Sequence, residues 1–411
     1  MRITKTATAF KSMKKFPESI IILILFLVQF IDVLDFMVVM PLGPDFSASL
    51  GIAESNLGWV ASSYTIAAAF SGILSSTFID RFERKRVLII TLAGLVISNI
   101  LSAQAWNLES LLASRFLAGA FGGPATSMCF AIVADLFDEK RRGSAMGKIM
   151  SGFSLAAIFG VPIGLKMSLI FSWHASFYMV ALLGILAIIL IIFFMPQITS
   201  HLSSVKKNKV TYLSLFNKPI YLLTFIAACL GSMASFMIIP YISPFIQLNM
   251  NYPRADIDLI YFVGGVGSFF AMHIAGKFID KSTSALTTML ANIFILFSLI
   301  LGFIFTASFI PVIILYAPFM IGMAIRNVSN YTLFSKIPSL NDRAGFMSVI
   351  SCIQHIASSA GAIATSLIVT KENNKLQYMD IATIIAIILF IIVPLILTKI
   401  EKSIQRKNLL G

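Results

Sequence analysis

Charge is scarce in this chain: 12% of its 411 residues are Asp, Glu, Lys or Arg, against roughly 25% in an ordinary globular domain. That scarcity excludes a soluble fold with a solvated surface. Cysteine is scarcer still, and Cys129, Cys229 and Cys352 all lie inside apolar stretches without CxxC or Cys/His spacing. Neither a disulfide framework nor a zinc site is expected, and the three thiols read as packing residues. No phosphate-binding glycine loop with its lysine occurs, so ATP-driven work by this chain is not supported. No nucleophile stands beside a convincing base. The chain therefore reads as neither an enzyme nor a cofactor binder.

What is abundant is apolar surface: 58% of the residues are hydrophobic and the mean hydropathy is +0.91. Apolar runs recur along nearly the whole chain, each long enough to cross a hydrocarbon core roughly 30 Å thick. The expected fold is an all-α membrane protein of twelve transmembrane helices, at 19–42, 57–79, 87–105, 109–134, 144–170, 175–195, 219–247, 256–279, 285–306, 309–334, 344–369 and 379–398. The first run, Ile20 to Leu42, follows a basic stretch (Arg2, Lys5, Lys11, Lys14, Lys15) but is too long for a signal-peptide core, so it reads as a retained helix.

The formal charge of +13 is spread over short segments between apolar runs, which speaks against a nucleic-acid partner. With the N-terminus inside, the segments on that side hold 24 Lys and Arg, against three (Arg254, Lys371, Lys375) on the other. Positive charge is retained on the cytoplasmic face, so both termini are expected there. The expected organisation is a cytoplasmic tail (1–18), a six-helix bundle (19–195), a linker (196–218), a second six-helix bundle (219–398) and a tail (399–411). An internal repeat supports the division: Ser76-Thr77-Phe78-Ile79-Asp80-Arg81 recurs as Gly276-Lys277-Phe278-Ile279-Asp280-Lys281, and Gly160 corresponds to Gly361.

The loop after the second helix carries Asp80, Arg81, Arg84 and Lys85 at the positions of the pattern G-x-L-x-D-R-x-G-R-[RK], with Ser76 and Glu83 replacing two glycines. Here the chain resembles the major facilitator superfamily, and within it the twelve-helix branch of drug and proton antiporters. The resemblance covers residues 19 to 398. It implies two six-helix halves around a central site, and a cytoplasmic latch made by this loop and its repeat at Asp280 in the outward-facing state. A short loop also gathers basic residues for topology alone.

Arg115, in Leu111 to Gly119, resembles the family arginine implicated in proton transfer; the alternative is that it snorkels to the nearby interface. Gly152, Gly160, Pro162 and Gly164 resemble the antiporter motif, with Val161 in place of one glycine. The corresponding segment in the other half keeps Gly361 but has Ile363 where Pro162 stands. Glycines at such intervals let helices touch backbone to backbone, and proline bends the helix.

Asp32 and Asp35 share one face of the first helix, about 20 to 24 Å from its cytoplasmic end at 1.5 Å per residue. Desolvation and mutual repulsion favour a proton on at least one of them, and the two are expected to titrate as a coupled pair. Family exporters have an acid in this helix. Asp32 stands nine residues before Pro41, like the acid before the family's A-L-P, and Asp35 stands nearer, so either could carry the proton; an ion pair with Arg115 is a further role open to them.

Gln29, Tyr64, Arg326 and Asn327 are candidate cavity residues; Arg326 is placed to face an anionic substrate group or pair across the bundle, and equally well to extend toward the cytoplasmic surface. His273 and His355 are expected to be packed. The implied function is export of drugs or other small amphipathic molecules in exchange for protons across a bacterial inner membrane, by a monomer. A sugar or metabolite exporter, or a proton-coupled importer, fits the same fold; a membrane-embedded enzyme or sensor is a remote alternative.

Overall fold

A computed structural model describes residues 18–78, 81–137, 139–199, 215–279, 281–307, 309–339 and 342–410. Its long helices are α1 (Glu18–Val38), α2 (Leu57–Phe78), α3 (Arg84–Ala103), α4 (Leu108–Leu136) and α5, which runs as Glu139–Leu155, a π turn Ala156–Gly160, and Val161–Ile170. They are followed by α6 (Trp173–Phe194), α7 (Pro219–Ile238, continued by Ile242–Asn249), α8 (Ile257–Ile279), α9 (Ser284–Ser298, continued by Leu299–Ile304), α10 (Val312–Lys336), α11 (Arg343–Ile368) and α12 (Met379–Leu410). Eleven of the described helices are long and apolar enough to cross a membrane, and α2 is a further helix of 22 residues.

Boundaries follow local chemistry. α1 stops at Val38, short of the expected 42, and the chain restarts as the short helix Gly43–Leu50 with Pro44 in its first turn, where a missing N–H costs nothing. Asn107 and Ser110 cap each other at the start of α4. α12 continues past 398 to Leu410, and Glu401 on it accepts hydrogen bonds from the Ser284 and Ala285 amides at the start of α9. Between α11 and α12, where the sequence points only to a connection, β1 (Thr370–Glu372) and β2 (Lys375–Gln377) form a hairpin. Its turn residues Asn373 and Asn374 both have positive φ (49° and 60°), a conformation asparagine tolerates.

Buried side chains of α1–α6 form one core that also takes in Ile257, and those of α7–α12 form two others. Most of the expected linker (200–214) lies outside the described residues. At the end of the molecule where the described residues start and finish, the terminal end, Arg141 donates to Glu18 and Lys218 donates to Asp342. These pairs occupy repeat-equivalent places, 200 and 201 residues apart, with opposite polarity. The bond from Lys218 holds the Asp342 carboxyl below its ordinary range and draws the Lys218 ammonium up.

Contacts between α1–α6 and α7–α12 concentrate at the opposite, far end. Ion pairs join Arg254 to Asp45, Lys371 to Glu54 and Lys166 to Asp258. Deeper in, α2 runs against α11: Ser62 donates to the Ser359 carbonyl at 3.1 Å, and the Thr65 and Ser359 hydroxyls are 2.6 Å apart. α5 meets α8 where Gly265 faces the backbone of Ala157 and Ile158. Among the described residues, hydrogen bonds and ion pairs between the two groups of helices lie from the far end to the middle. This structure is therefore closed at the far end.

Candidate functional site

Asp32 and Asp35 are both buried in the last two turns of α1, but their surroundings differ. Arg115 of α4 makes a two-pronged pair with Asp35, Nη1 to Oδ1 at 2.7 Å and Nη2 to Oδ2 at 3.1 Å. The two side chains are 1% and 0% exposed, and the guanidinium lies 5.2 Å from the Tyr64 ring centre and 5.8 Å from that of Phe177. Arg115 thus turns inward to an acid instead of reaching out to the interface.

Asp32 has no such partner. Its Oδ1 accepts from the Tyr64 hydroxyl at 3.2 Å and its Oδ2 from the Thr126 hydroxyl at 2.6 Å, both neutral donors, while the nearby guanidinium is engaged by Asp35. With Asp32 ionised, the group Asp32, Asp35 and Arg115 carries one net negative charge in a buried place. With Asp32 protonated it is neutral, and burial no longer opposes it.

Thr126 is a residue the sequence reading missed. The signal was available: Arg115, Gly119, Gly122 and Thr126 fall on one stripe of α4 at helical spacing. The two glycines let α2 lie close. A Cβ at Gly119 would overlap the Tyr64 carbonyl, and one at Gly122 would stand 2.5 Å from Asp32 Oδ1. Gln29 joins the same group, its Oε1 3.3 Å from the Thr126 hydroxyl.

The glycines of α5 face α1. A Cβ at Gly152 would approach the Phe30 amide to 3.0 Å, one at Gly160 the Leu34 side chain to 2.7 Å, and one at Gly164 Val38 to 2.6 Å. Pro162 follows the π turn, in which the Val161 N–H reaches back to the Ala156 carbonyl. The widened turn absorbs the missing proline N–H. This segment cradles the helix that carries the two acids.

In the first turn of α3, Arg84 pairs with Asp135 of α4 at 2.9 Å, and Lys85 donates to the Ile192 and Met195 carbonyls at the end of α6. Arg81 is exposed, and Asp80 and Asp280 lie outside the described residues. Glu83, at a family glycine position, caps α3 by accepting from the Lys85 and Arg86 amides and also from the Ile198 amide, each at 2.9 Å. Glu83→Ala is expected to lower stability by about 1 kcal/mol, the worth of a helix cap, and to free residues 195–199. Thermal melting and faster hydrogen exchange of the Ile198 amide would register both effects.

Arg326 does not join the acids of α1. It is packed between α7 and α12, donating to the Gly231 carbonyl at 3.0 Å and the Ser235 hydroxyl at 2.6 Å, over the Phe390 ring. Asn327, beside it, is half-buried. The cysteines are free thiols.

The sequence profile described as Major Facilitator Superfamily matches residues 25–362. The chain belongs to this superfamily. Similar curated proteins include the uncharacterized MFS-type transporter YtbD of Bacillus subtilis, 25% identical over 59% of this chain and 61% of that one. A probable sugar efflux transporter of Mannheimia succiniciproducens is 29% identical over 54% of this chain and 56% of that one. The inner membrane transport protein YdhP of Escherichia coli is 24% identical over 59% and 62%. The matched stretch thus spans about 56–62% of the length of these relatives. Among solved structures, a D-xylose–proton symporter superposes with a TM-score of 0.74 at 15% identity, covering 92% of this chain and 96% of that one. A bacterial homolog of the human lysosomal transporter Spinster, inward-facing and unoccupied, gives 0.68 at 14%, covering 93% and 98%.

These likenesses establish an all-α major facilitator fold and a multi-pass membrane protein. Every relative and structure named above is a transporter, in keeping with the expectation that this chain is not an enzyme. In this major facilitator chain the acids Asp32 and Asp35 sit on α1 against Arg115 and Thr126 of α4, with Tyr64 of α2 closing over Asp32.

Proposed function

We propose that the chain is a secondary transporter that exports small amphipathic compounds in exchange for protons, with Asp32 as the proton carrier and Asp35–Arg115 as a fixed pair. The observation that supports this most directly is the difference between the two acids: Asp35 is neutralised by Arg115, whereas Asp32 is held only by hydroxyls. A proton on Asp32 removes the site's net charge, so loading and unloading it alters which arrangement of the helices is favoured.

In this reading residues 19–195 and 219–398 rock against each other around a central site, joined by 196–218. The terminal end is cytoplasmic by its excess of Lys and Arg, so the far-end closure corresponds to an inward-facing state of a monomer in a bacterial inner membrane. The antiporter-like glycines at Gly152, Gly160 and Gly164, with Pro162, favour export. The 36 Phe and 19 Met suit an adaptable apolar site. Export of a sugar or another small metabolite is the second reading, favoured by the likeness to a probable sugar efflux transporter.

The test is pH-gradient-driven efflux from proteoliposomes, with lipophilic cations, neutral drugs and sugars as the panel. Wild type is expected to drive uphill efflux of at least one drug class, and Asp32→Asn to abolish it while downhill exchange persists. Uphill efflux by Asp32→Asn at the wild-type rate would remove Asp32 from coupling. Movement of sugars alone would favour the second reading.

A further inference from the structure

α2 is the only described helix that holds Asp32 with one face and the opposite bundle with another. Tyr64 donates to Asp32 Oδ1; Ser62, two positions before it, and Thr65, the next residue after it, are both bonded to Ser359 of α11. Gly58, one turn earlier, packs directly on the Ala362 carbonyl, and its amide donates to Tyr241 of α7. Any shift of α2 at Tyr64 is thereby delivered to the far-end closure.

We infer that Tyr64 is the positioning residue that reports the protonation of Asp32 to the α2–α11 contact. This rests on the reading of Asp32 as the proton carrier. The titratable and charged groups facing Asp32 are Asp35 on α1, Tyr64 on α2, and Arg115 and Cys129 on α4.

The hydrogen-bond count gives the direction. Ionised Asp32 only accepts, so both hydroxyls donate to it, and bonds to a charged acceptor are roughly twice as strong as neutral ones. A proton arriving on Oδ2 turns that oxygen into a donor to the Thr126 oxygen. The Thr126 hydrogen then swings to Gln29 Oε1, 3.3 Å away, so the link from α1 to α4 survives in both states. Among the described residues, Tyr64 donates to no second acceptor. Its bond to Oδ1 becomes a neutral one and weakens, which loosens α2 and disfavours the far-end closure.

The same geometry makes a selective variant available. Tyr64→Phe keeps the ring, which lies 5.0 Å from Phe36 and under the Arg115 guanidinium, and removes only the hydroxyl.

The experiment measures the distance between spin labels at Asn56→Cys and Asn374→Cys, both at the far end, with the three native cysteines replaced, as the pH is lowered. The wild-type background is expected to gain a far-end-open population on acidification, and Asp32→Asn to show a large open population at every pH. Tyr64→Phe should lose the pH response. Ser359→Ala, which removes the 2.6 Å bond to Thr65 but leaves Tyr64 in place, should raise the open population at every pH and keep its response. A wild-type response retained in Tyr64→Phe would overturn the role of Tyr64 while leaving Asp32 as carrier. A wild-type response retained in Asp32→Asn would overturn the reading of Asp32 itself, and with it the inference.

Discussion

Asp35→Leu is expected to be the most destabilising single change in the first bundle, costing about 3–5 kcal/mol, because it leaves a buried guanidinium without its counter-ion. With Asp35 gone, Arg115 keeps no bonded carboxylate: its Nε makes no hydrogen bond, its remaining acceptor would be the main-chain oxygen of residue 35 at 3.3 Å, it otherwise lies against the Tyr64 and Phe177 rings, and nearby Asp32 is held by Tyr64 and Thr126. Removing both charges at once removes the cause. Asp35→Leu combined with Arg115→Met should recover most of the lost stability, since apolar replacement of a buried pair is often neutral or better. Melting temperatures of the two singles and the double in detergent provide the test. A double variant as unstable as the sum of the singles would mean that shape, not charge balance, dominates there. Asp32→Asn serves as contrast: its neutral amide can still accept from Tyr64 or Thr126, so its melting temperature should stay near that of wild type.

The second large effect concerns conformation. A Cβ at Gly58 would overlap the Ala362 carbonyl and the Ser366 hydroxyl across the α2–α11 contact, and a backbone atom cannot swing aside as a side chain can. Gly58→Leu is therefore expected to hold the far end open. Because the overlap lies between the bundles and not within one, it can be relieved by separating them, with little loss of stability. Gly152 offers the opposite case. It packs on the backbone of α1 inside the first bundle, so Gly152→Leu should destabilise instead, by about 1–3 kcal/mol or more, the usual cost of overpacking. Gly147, where an added Cβ meets nothing within 4 Å, is the control, and Gly147→Ala should leave both properties unchanged. The distance between spin labels at Asn56→Cys and Asn374→Cys, in a background without native cysteines, reads the opening. A wild-type distance distribution in Gly58→Leu would show that the contact tolerates the added volume in its closed form.

Much of the architecture is legible in the sequence because the bilayer imposes it. A segment of about twenty apolar residues has to be a helix, since lipid offers no partner for an open backbone. That constraint places all twelve long helices, with errors at their ends. The ends are where local polar chemistry takes over: Pro41 and Pro44 break α1 early, and α12 runs on because nothing stops it at 398 and Glu401 finds the start of α9 to cap. The hairpin between α11 and α12 escaped notice because two consecutive asparagines are a weak signal until their positive φ values are seen.

The polar site divides in the same manner. Helical spacing alone puts Asp32 and Asp35 on one face of α1, and the cost of charge in lipid alone marks them and Arg115 as residues that need partners. Which acid takes the arginine depends on how far α4 is offset along α1. That offset is set by glycines: Gly119 and Gly122 admit α2, and Gly152, Gly160 and Gly164 seat α1 against α5. Arg326 makes the same point in reverse, since its sequence position resembles that of a cavity residue while packing directs it between α7 and α12. Composition and periodicity act through each segment's own contact with lipid, so they specify the helices and the charges that lipid cannot hold. Pairing acts between segments distant in sequence, and only their packed register assigns Arg115 to Asp35 and leaves Asp32 to two hydroxyls.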